Sequence, residues 1–311
     1  MDEFYIKDDR LISKNEWQDI INSFKLAPEI DIPEHKIVLE VRRLFEQAVK
    51  QRLEGADSVG ICFSGGLDSS YIAALCKRYG VNFTCYTVGF RDGNFKDPDD
   101  VIEAIRVAEH LKLDDDEFRY NILDIKELEK VFGKAYVILR AAERLHGVAM
   151  TDVVNVEVAS VEIAAHNLAI KDRADRMAYF FSGLGSEEIF AGYDRHRKNP
   201  SNEECKNGLV NMYDRDMLRD SAVPKASGFS FMTPFLDEEL VRYSLKIPIR
   251  YKVDEDSNKI ILRKSAEDIL GNFAKRPKKA AQYGSSFDRG LSKIALLHGY
   301  KLKKDYLKSL N

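Results

Sequence analysis

Ser64-Gly65-Gly66-Leu67-Asp68-Ser69-Ser70 is the stretch of this 311-residue chain best suited to grip an anion. Two adjacent glycines let the backbone turn tightly and approach a ligand without a Cβ in the way. The amides that follow would point at the anion, helped by a helix dipole and by the hydroxyls of Ser64, Ser69 and Ser70. Asp68 is a poor ligand for phosphate but suits the Mg²⁺ that accompanies phosphate. No Gly-Lys-Ser/Thr follows, which excludes the Walker A pattern of ordinary kinases and ATPases. Taken alone, the stretch could also be a serine-rich helix cap. A second turn of the same plan runs from Phe181 to Tyr193 (FSGLGSEEIFAGY). Glu188 occupies the third glycine position of a dinucleotide fingerprint there, so that reading fails.

Both turns need a strand before them and a helix after them. Ser58–Phe63 (SVGICF) is a short apolar run, as expected of a strand buried on both faces. Ile72, Leu75, Cys76 and Tyr79 share one face of a helix that stops at Gly80. Phe83–Phe90 is aromatic and β-branched, a second strand. Asp97-Pro98-Asp99-Asp100 caps a helix carrying Val101, Ala104, Ile105 and Ala108. Phe118–Leu123 gives a third strand, and residues 177–181 (MAYFF) a fourth that runs into the second turn. Val41, Leu44, Phe45, Ala48 and Val49 mark a long helix ending near Gly55. The segment from Asp152 to Ile170 alternates like a strand at first, but its alanines favour a helix. Beyond Gly192 the pattern is helical and irregular. Strand–helix alternation at this spacing predicts an α/β fold, a doubly wound parallel sheet with a helical C-terminal region. Residues 1–36, punctuated by Pro28 and Pro33, read as an appendage before a domain spanning 37–311.

The first turn resembles the pyrophosphate-binding loop (PP-loop) of the ATP-pyrophosphatase superfamily, and the second resembles the matching loop of the asparagine synthetase synthase domain, Ser-Gly-x-Gly-Ser-Asp-Glu before Phe-x-Gly-Tyr. Thr87-Val88-Gly89-Phe90, Thr233-Pro234-Phe235-Leu236-Asp237, Lys259-Ile-Ile-Leu-Arg263 and Arg276-Pro277-Lys278 are similar to further elements of that family. The likeness covers roughly residues 37–290. It implies a magnesium-dependent ligase of amino-acid biosynthesis that uses ATP as cosubstrate. A small-molecule carboxylate, by resemblance aspartate, would be adenylated with release of pyrophosphate, and ammonia or an amine would displace AMP. Ser64, Gly65, Gly66, Leu67, Asp68, Ser69, Ser70, Val88, Gly89, Ser182, Gly183, Gly185 and Ser186 would then hold ATP and pyrophosphate. Asp68 and Glu187 would hold Mg²⁺, Glu187 standing where the family usually has Asp. Lys278, with Asp68, would be catalytic, neutralising charge on the transferring α-phosphoryl group.

Four positions depart from the family pattern. Leu184 replaces a usual Glu, Glu157 an Arg, and Ser230 and Met232 the Glu and Arg of Glu-x-Arg-Val-Pro-Phe-Leu-Asp. They fall on the substrate side, so a related adenylating enzyme with another substrate, or an ATP-binding subunit without turnover, stays open. Glutamine-dependent members begin with a Cys-led glutaminase domain. Asp2 stands here instead, so nitrogen is expected as free ammonia, as an amine, or from a separate glutaminase subunit. A homo-oligomer is left open.

Composition sets outer bounds. With 44% hydrophobic and 32% charged residues the chain can bury enough apolar surface to fold, and disorder is excluded. Its 48 Lys and Arg against 51 Asp and Glu make it no polycation, so nucleic acid is not an expected partner. Residues 275–279 (KRPKK) contacting nucleic acid is a minority reading. Cys62, Cys76, Cys85 and Cys205 show no zinc spacing and no disulfide framework. Cys205 reads as part of an isolated loop, Asp114–Asp116 as a solvated strand entry rather than a metal site, and the lysines 301, 303, 304 and 308 as a solvated helix face. Neither an apolar run of membrane length nor a secretory leader is seen, and the cytoplasm is the expected location.

Overall fold

A computed structural model describes residues 3–8, 10–93, 96–172, 178–276 and 280–310. A small antiparallel hairpin comes first, β1 (Ile6–Lys7) and β2 (Arg10–Leu11). Five strands then form one parallel sheet: β3 (Val59–Cys62), β4 (Phe83–Phe90), β5 (Phe118–Leu123), β6 (Tyr179–Phe181) and β7 (Ser230–Met232). Their order across the sheet is β5-β4-β3-β6-β7. From β3 the chain winds outward through β4 and β5, then returns and winds the other way through β6 and β7. The reversal leaves a crevice between the carboxyl ends of β3 and β6, where open α/β sheets bind ligands. Both glycine turns emerge there.

All eight residues of β4 are buried, so helices cover both faces of the sheet. Helix Leu67–Tyr79 packs with helices Glu34–Leu53 and Ile260–Leu270, while Ile125–His146, Val153–Asp172 and Leu218–Ser227 form a second group. The doubly wound sheet and the helical C-terminal region are as the sequence predicts. The ambiguous stretch is a helix, Val153–Asp172. It is the one described helix long and apolar enough to cross a membrane, but Val156, Ala159, Ile163 and Ala164 are buried in the hydrophobic core.

Three expectations are corrected. Asp97 does not cap helix Asp99–Leu111; it pairs with Arg91, and Pro98 opens the helix without a side-chain cap. Cys205 is buried on helix Asn202–Met212, not in a loop. Lys303 is no solvated lysine; it pairs with Glu157 and Asp288.

The N-terminal residues are tied into the core. Trp17 and Ile21 of helix Lys14–Ser23 are fully buried, and the Trp17 indole N–H donates to the carbonyl of Leu209 at 2.8 Å. Glu3 meets Arg52, and the Tyr5 and Thr233 hydroxyls share a hydrogen bond. Trp17→Ala is therefore expected to cost about 3–5 kcal/mol. Urea unfolding would check it, and a loss under 1 kcal/mol would mean that this packing contributes little.

Candidate functional site

The first turn is built by backbone geometry. Gly65 has φ +64, and a Cβ there would lie 2.6 Å from the backbone N of Ala104, so no side chain fits. The Ser64 hydroxyl accepts from the N–H of Gly66 at 3.2 Å, fixing the bend. Helix Leu67–Tyr79 starts with Gly66 as its N-cap, and no side chain caps its first turn. Its leading amides are thus left for a ligand, and the dipole adds positive potential. The helix ends at Gly80 in the left-handed region, as the sequence indicates.

The second turn is held by its neighbour strand. The Ser182 N–H donates to the carbonyl of Met232 at 3.0 Å, and Gly185 takes φ +94 before the short helix Ser186–Ile189. A Cβ on Gly183 would meet the Cβ of Asp68 at 3.2 Å, so this glycine lets the two turns close on each other.

Where they meet, four side chains converge. The Ser186 hydroxyl donates to Asp68 Oδ2 at 2.8 Å. Lys259 Nζ donates to the same oxygen at 2.7 Å and pairs with Glu187. The Lys259 side chain is only 3% exposed. Burial works against its charge, but Asp68 and Glu187 outweigh that and the pKa is raised. Asp68 Oδ1 is buried without a hydrogen-bond partner, and so is the Ser70 hydroxyl. These groups line or adjoin a cavity of about 150 Å³, walled also by Arg263 and Arg276. Arg276 donates to the carbonyl of Ser64 at 2.8 Å and pairs with Asp100. Arg263 also borders a larger cleft of about 1070 Å³ that reaches Tyr193, Arg197 and Tyr283.

Two carboxylates, with Asp68 Oδ1 unpartnered, suit Mg²⁺, which is commonly held by one or two carboxylates while phosphate oxygens and water complete the shell. Among the described residues no cluster of three or more His, Cys, Asp or Glu forms a metal site of its own. The donor set fits a metal that arrives with its phosphate. The three cations Lys259, Arg263 and Arg276 suit a polyphosphate.

The structure brings Ser64, Gly66, Leu67, Asp68, Ser69, Gly183 and Glu187 to one cavity, with Ser186 bonded to Asp68. The Ser182 hydroxyl accepts from the N–H of Leu184 at 3.2 Å. Val88 and Gly89 stand apart on β4, where Gly89 is packed against Pro98 and Val101. Lys278 lies outside the described residues. Lys259 is the functional residue that sequence reasoning missed. Its segment resembles a family element, but only the fold shows its amine crossing 191 residues to Asp68.

Glu157 is the departure with an electrostatic signature. Burial pushes its carboxyl up to about 6 although Lys303 at 2.8 Å pulls the other way, and Asp288 adds to the rise. Between the ordinary value near 4.5 and 6 the folded chain binds more protons than the unfolded one. Stability then falls as pH rises through that window, by at most about 2 kcal/mol. Glu157→Gln should therefore gain melting temperature relative to wild type at pH 8 compared with pH 5. An identical difference at both pH values would refute the assignment.

A parallel α/β sheet with two glycine turns facing across its switch point defines an α/β fold with an anion-suited crevice in which paired carboxylates and three cations meet. The asparagine synthase family profile matches residues 40–210 and 200–296, and the chain belongs to that family. It is 30% identical over 97% of its length to a Methanocaldococcus jannaschii protein provisionally named asparagine synthetase (glutamine-hydrolyzing) 1, covering 58% of that protein. It is also 30% identical to the human asparagine synthetase (glutamine-hydrolyzing) over 85% of the chain, covering 46% of the human protein. The chain thus spans about half the length of the curated relatives it matches. NAD+ synthetase from Burkholderia pseudomallei aligns over 93% of this chain and 98% of its own at 12% identity, with a TM-score of 0.29.

Proposed function

We propose that this chain is an AMP-forming amide ligase that adenylates a small carboxylate, aspartate by family likeness, and passes the acyl group to ammonia or an amine. The observation that carries the reading is Asp68 of one glycine turn meeting Glu187 and Ser186 of the other at the Lys259 ammonium. Breakage between the α- and β-phosphates needs pyrophosphate to be gripped as it leaves. The uncapped amides of helix Leu67–Tyr79, the Ser69 and Ser70 hydroxyls and Ser186 would do that. Asp68 and Glu187 would hold Mg²⁺, which when bound neutralises phosphate charge. Lys278 is assigned to the α-phosphoryl group on its Arg-x-Lys likeness, which gains support from Arg276 being tied to the Ser64 carbonyl. Val88 and Gly89 would border the adenine. The carboxylate acceptor, the nitrogen source and any separate glutaminase subunit belong to this proposal. So does a cytoplasmic setting, which the four free thiols suit.

The test is ATP–pyrophosphate exchange across a panel of carboxylates. Aspartate-dependent exchange supports the reading. Exchange with a different acid moves the assignment to a related adenylating enzyme. Tight ATP binding without exchange for any acid refutes catalysis and leaves a nucleotide-binding subunit.

A further inference from the structure

Along the edge strand β7 lies a second cavity, of about 410 Å³, closed on one side by the N-terminal hairpin. We propose that it binds the nitrogen donor and that this donor is a primary amine with an apolar body, a deepening that rests on the adenylating reading above. Position is the first argument. Gly183 lines the cavity beside Asp68, and the next residue, Leu184, lines this one, so the second glycine turn forms the partition between them. An amine seated here borders the site where an acyl adenylate would form.

Size is the second. Ammonia needs about the room of one water, roughly 30 Å³. A cavity of about 410 Å³ falls in the range of pockets that enclose small organic molecules.

Chemistry is the third. Leu184, Met217, Phe229 and Phe231 supply an apolar wall, and the carboxyl of Asp220 stands in it with a side chain only 7% exposed. Arg219 pairs with Asp220 at 2.6 Å, with Asp216 at 3.3 Å and with Glu162 at 3.6 Å. Asp216 is shared with Arg215, which also meets Glu188, so four carboxyl groups face two guanidiniums, with Lys225 as the one lysine among the described residues of the cavity wall, and the surplus of carboxyls attracts a cation. Burial also pushes the Asp220 carboxyl up, making it readier to take a proton from an ammonium. Three of the four departures from the family pattern, Leu184, Ser230 and Met232, line this one cavity. Each puts an uncharged side chain where a charged one is usual, which enlarges the apolar share of the wall.

In the reaction the ammonium gives one proton to Asp220. The freed lone pair attacks the acyl carbon, a C–N bond forms, and the C–O bond to AMP breaks. AMP leaves with the bonding pair, and the second nitrogen proton goes to water. The products are a secondary amide and AMP.

The wild-type chain is supplied with ATP, Mg²⁺ and the carboxylate that supports exchange, and then with ammonium chloride or 2-phenylethylamine. Amide is followed by mass spectrometry. The expected result is a secondary amide, with a KM for 2-phenylethylamine at least tenfold below that for ammonium. Ser221→Phe, on helix Leu218–Ser227 and lining the cavity, should lower kcat/KM for 2-phenylethylamine at least tenfold relative to ammonium in the same variant, its folding checked by melting temperature. Amide formation from ammonium alone, or an equal loss for both amines, overturns the proposal. Calorimetric titration of 2-phenylethylamine into the ligand-free chain separates the two readings. Saturable heat that Asp220→Asn weakens, without exchange for any acid, supports the amine site and sinks adenylation. Exchange without such heat supports adenylation and sinks the amine site.

Discussion

Asp68→Asn is expected to lower ATP–pyrophosphate exchange by at least a thousandfold. The substitution keeps the shape of the side chain and removes the charge that would hold Mg²⁺ against the leaving pyrophosphate. Preorganised charge at a transferring phosphoryl group is among the largest single contributions to catalysis, and losing one such group commonly costs two to three powers of ten. Here the loss is compounded, because Asp68 also orients the Ser186 hydroxyl and the Lys259 ammonium through one oxygen, Oδ2. Read from the sequence, Asp68 is a loop carboxylate with little part in folding. The structure changes that expectation, since its removal takes a charged hydrogen bond from a buried lysine. Stability should drop by about 1.5–3 kcal/mol as well. Exchange kinetics and urea unfolding on one preparation would separate the effects. Exchange within tenfold of wild type at saturating Mg²⁺ would remove Asp68 from the metal site.

The strands were legible where packing is uniform. β4 is buried on both faces for its whole length, so its aromatic and β-branched run marks its ends at Phe83 and Phe90 without help from partners. The glycine turns were legible because they require particular backbone conformations, and only glycine takes φ +64 at Gly65 beside the Ala104 backbone. β7 was not legible. It has three residues, its Ser230 is exposed, and it exists because Tyr179–Phe181 offers it a pairing edge. The same limit hid the roles of Lys259 and Lys303. A lysine before or within a helix looks solvated until the fold brings carboxylates from distant segments onto it.

Lys259→Met is expected to give a large loss of stability, and one that Mg²⁺ alone reverses. The ammonium lies between Asp68 and Glu187, at a position left-handed in backbone (φ +52) and fixed by the turn into helix Ile260–Leu270. Taking it away leaves two carboxylates buried with no cation between them. Breaking a buried pair by removing one partner typically costs about 3–5 kcal/mol. Like charges held together also raise each other's pKa, so the deficit should shrink on acidification as one carboxylate takes up a proton. A divalent cation does the same work as the lost ammonium and stabilises only the folded chain. Its effect follows the logarithm of its concentration over Kd. The melting temperature of the variant should therefore climb with added Mg²⁺ in the absence of nucleotide, whereas the wild type, with Lys259 already bridging the acids, should respond weakly until ATP is present. Equal responses of the two proteins to Mg²⁺ alone would show that lysine and metal do not compete for Asp68 and Glu187. The metal would then have to be sought elsewhere in the crevice.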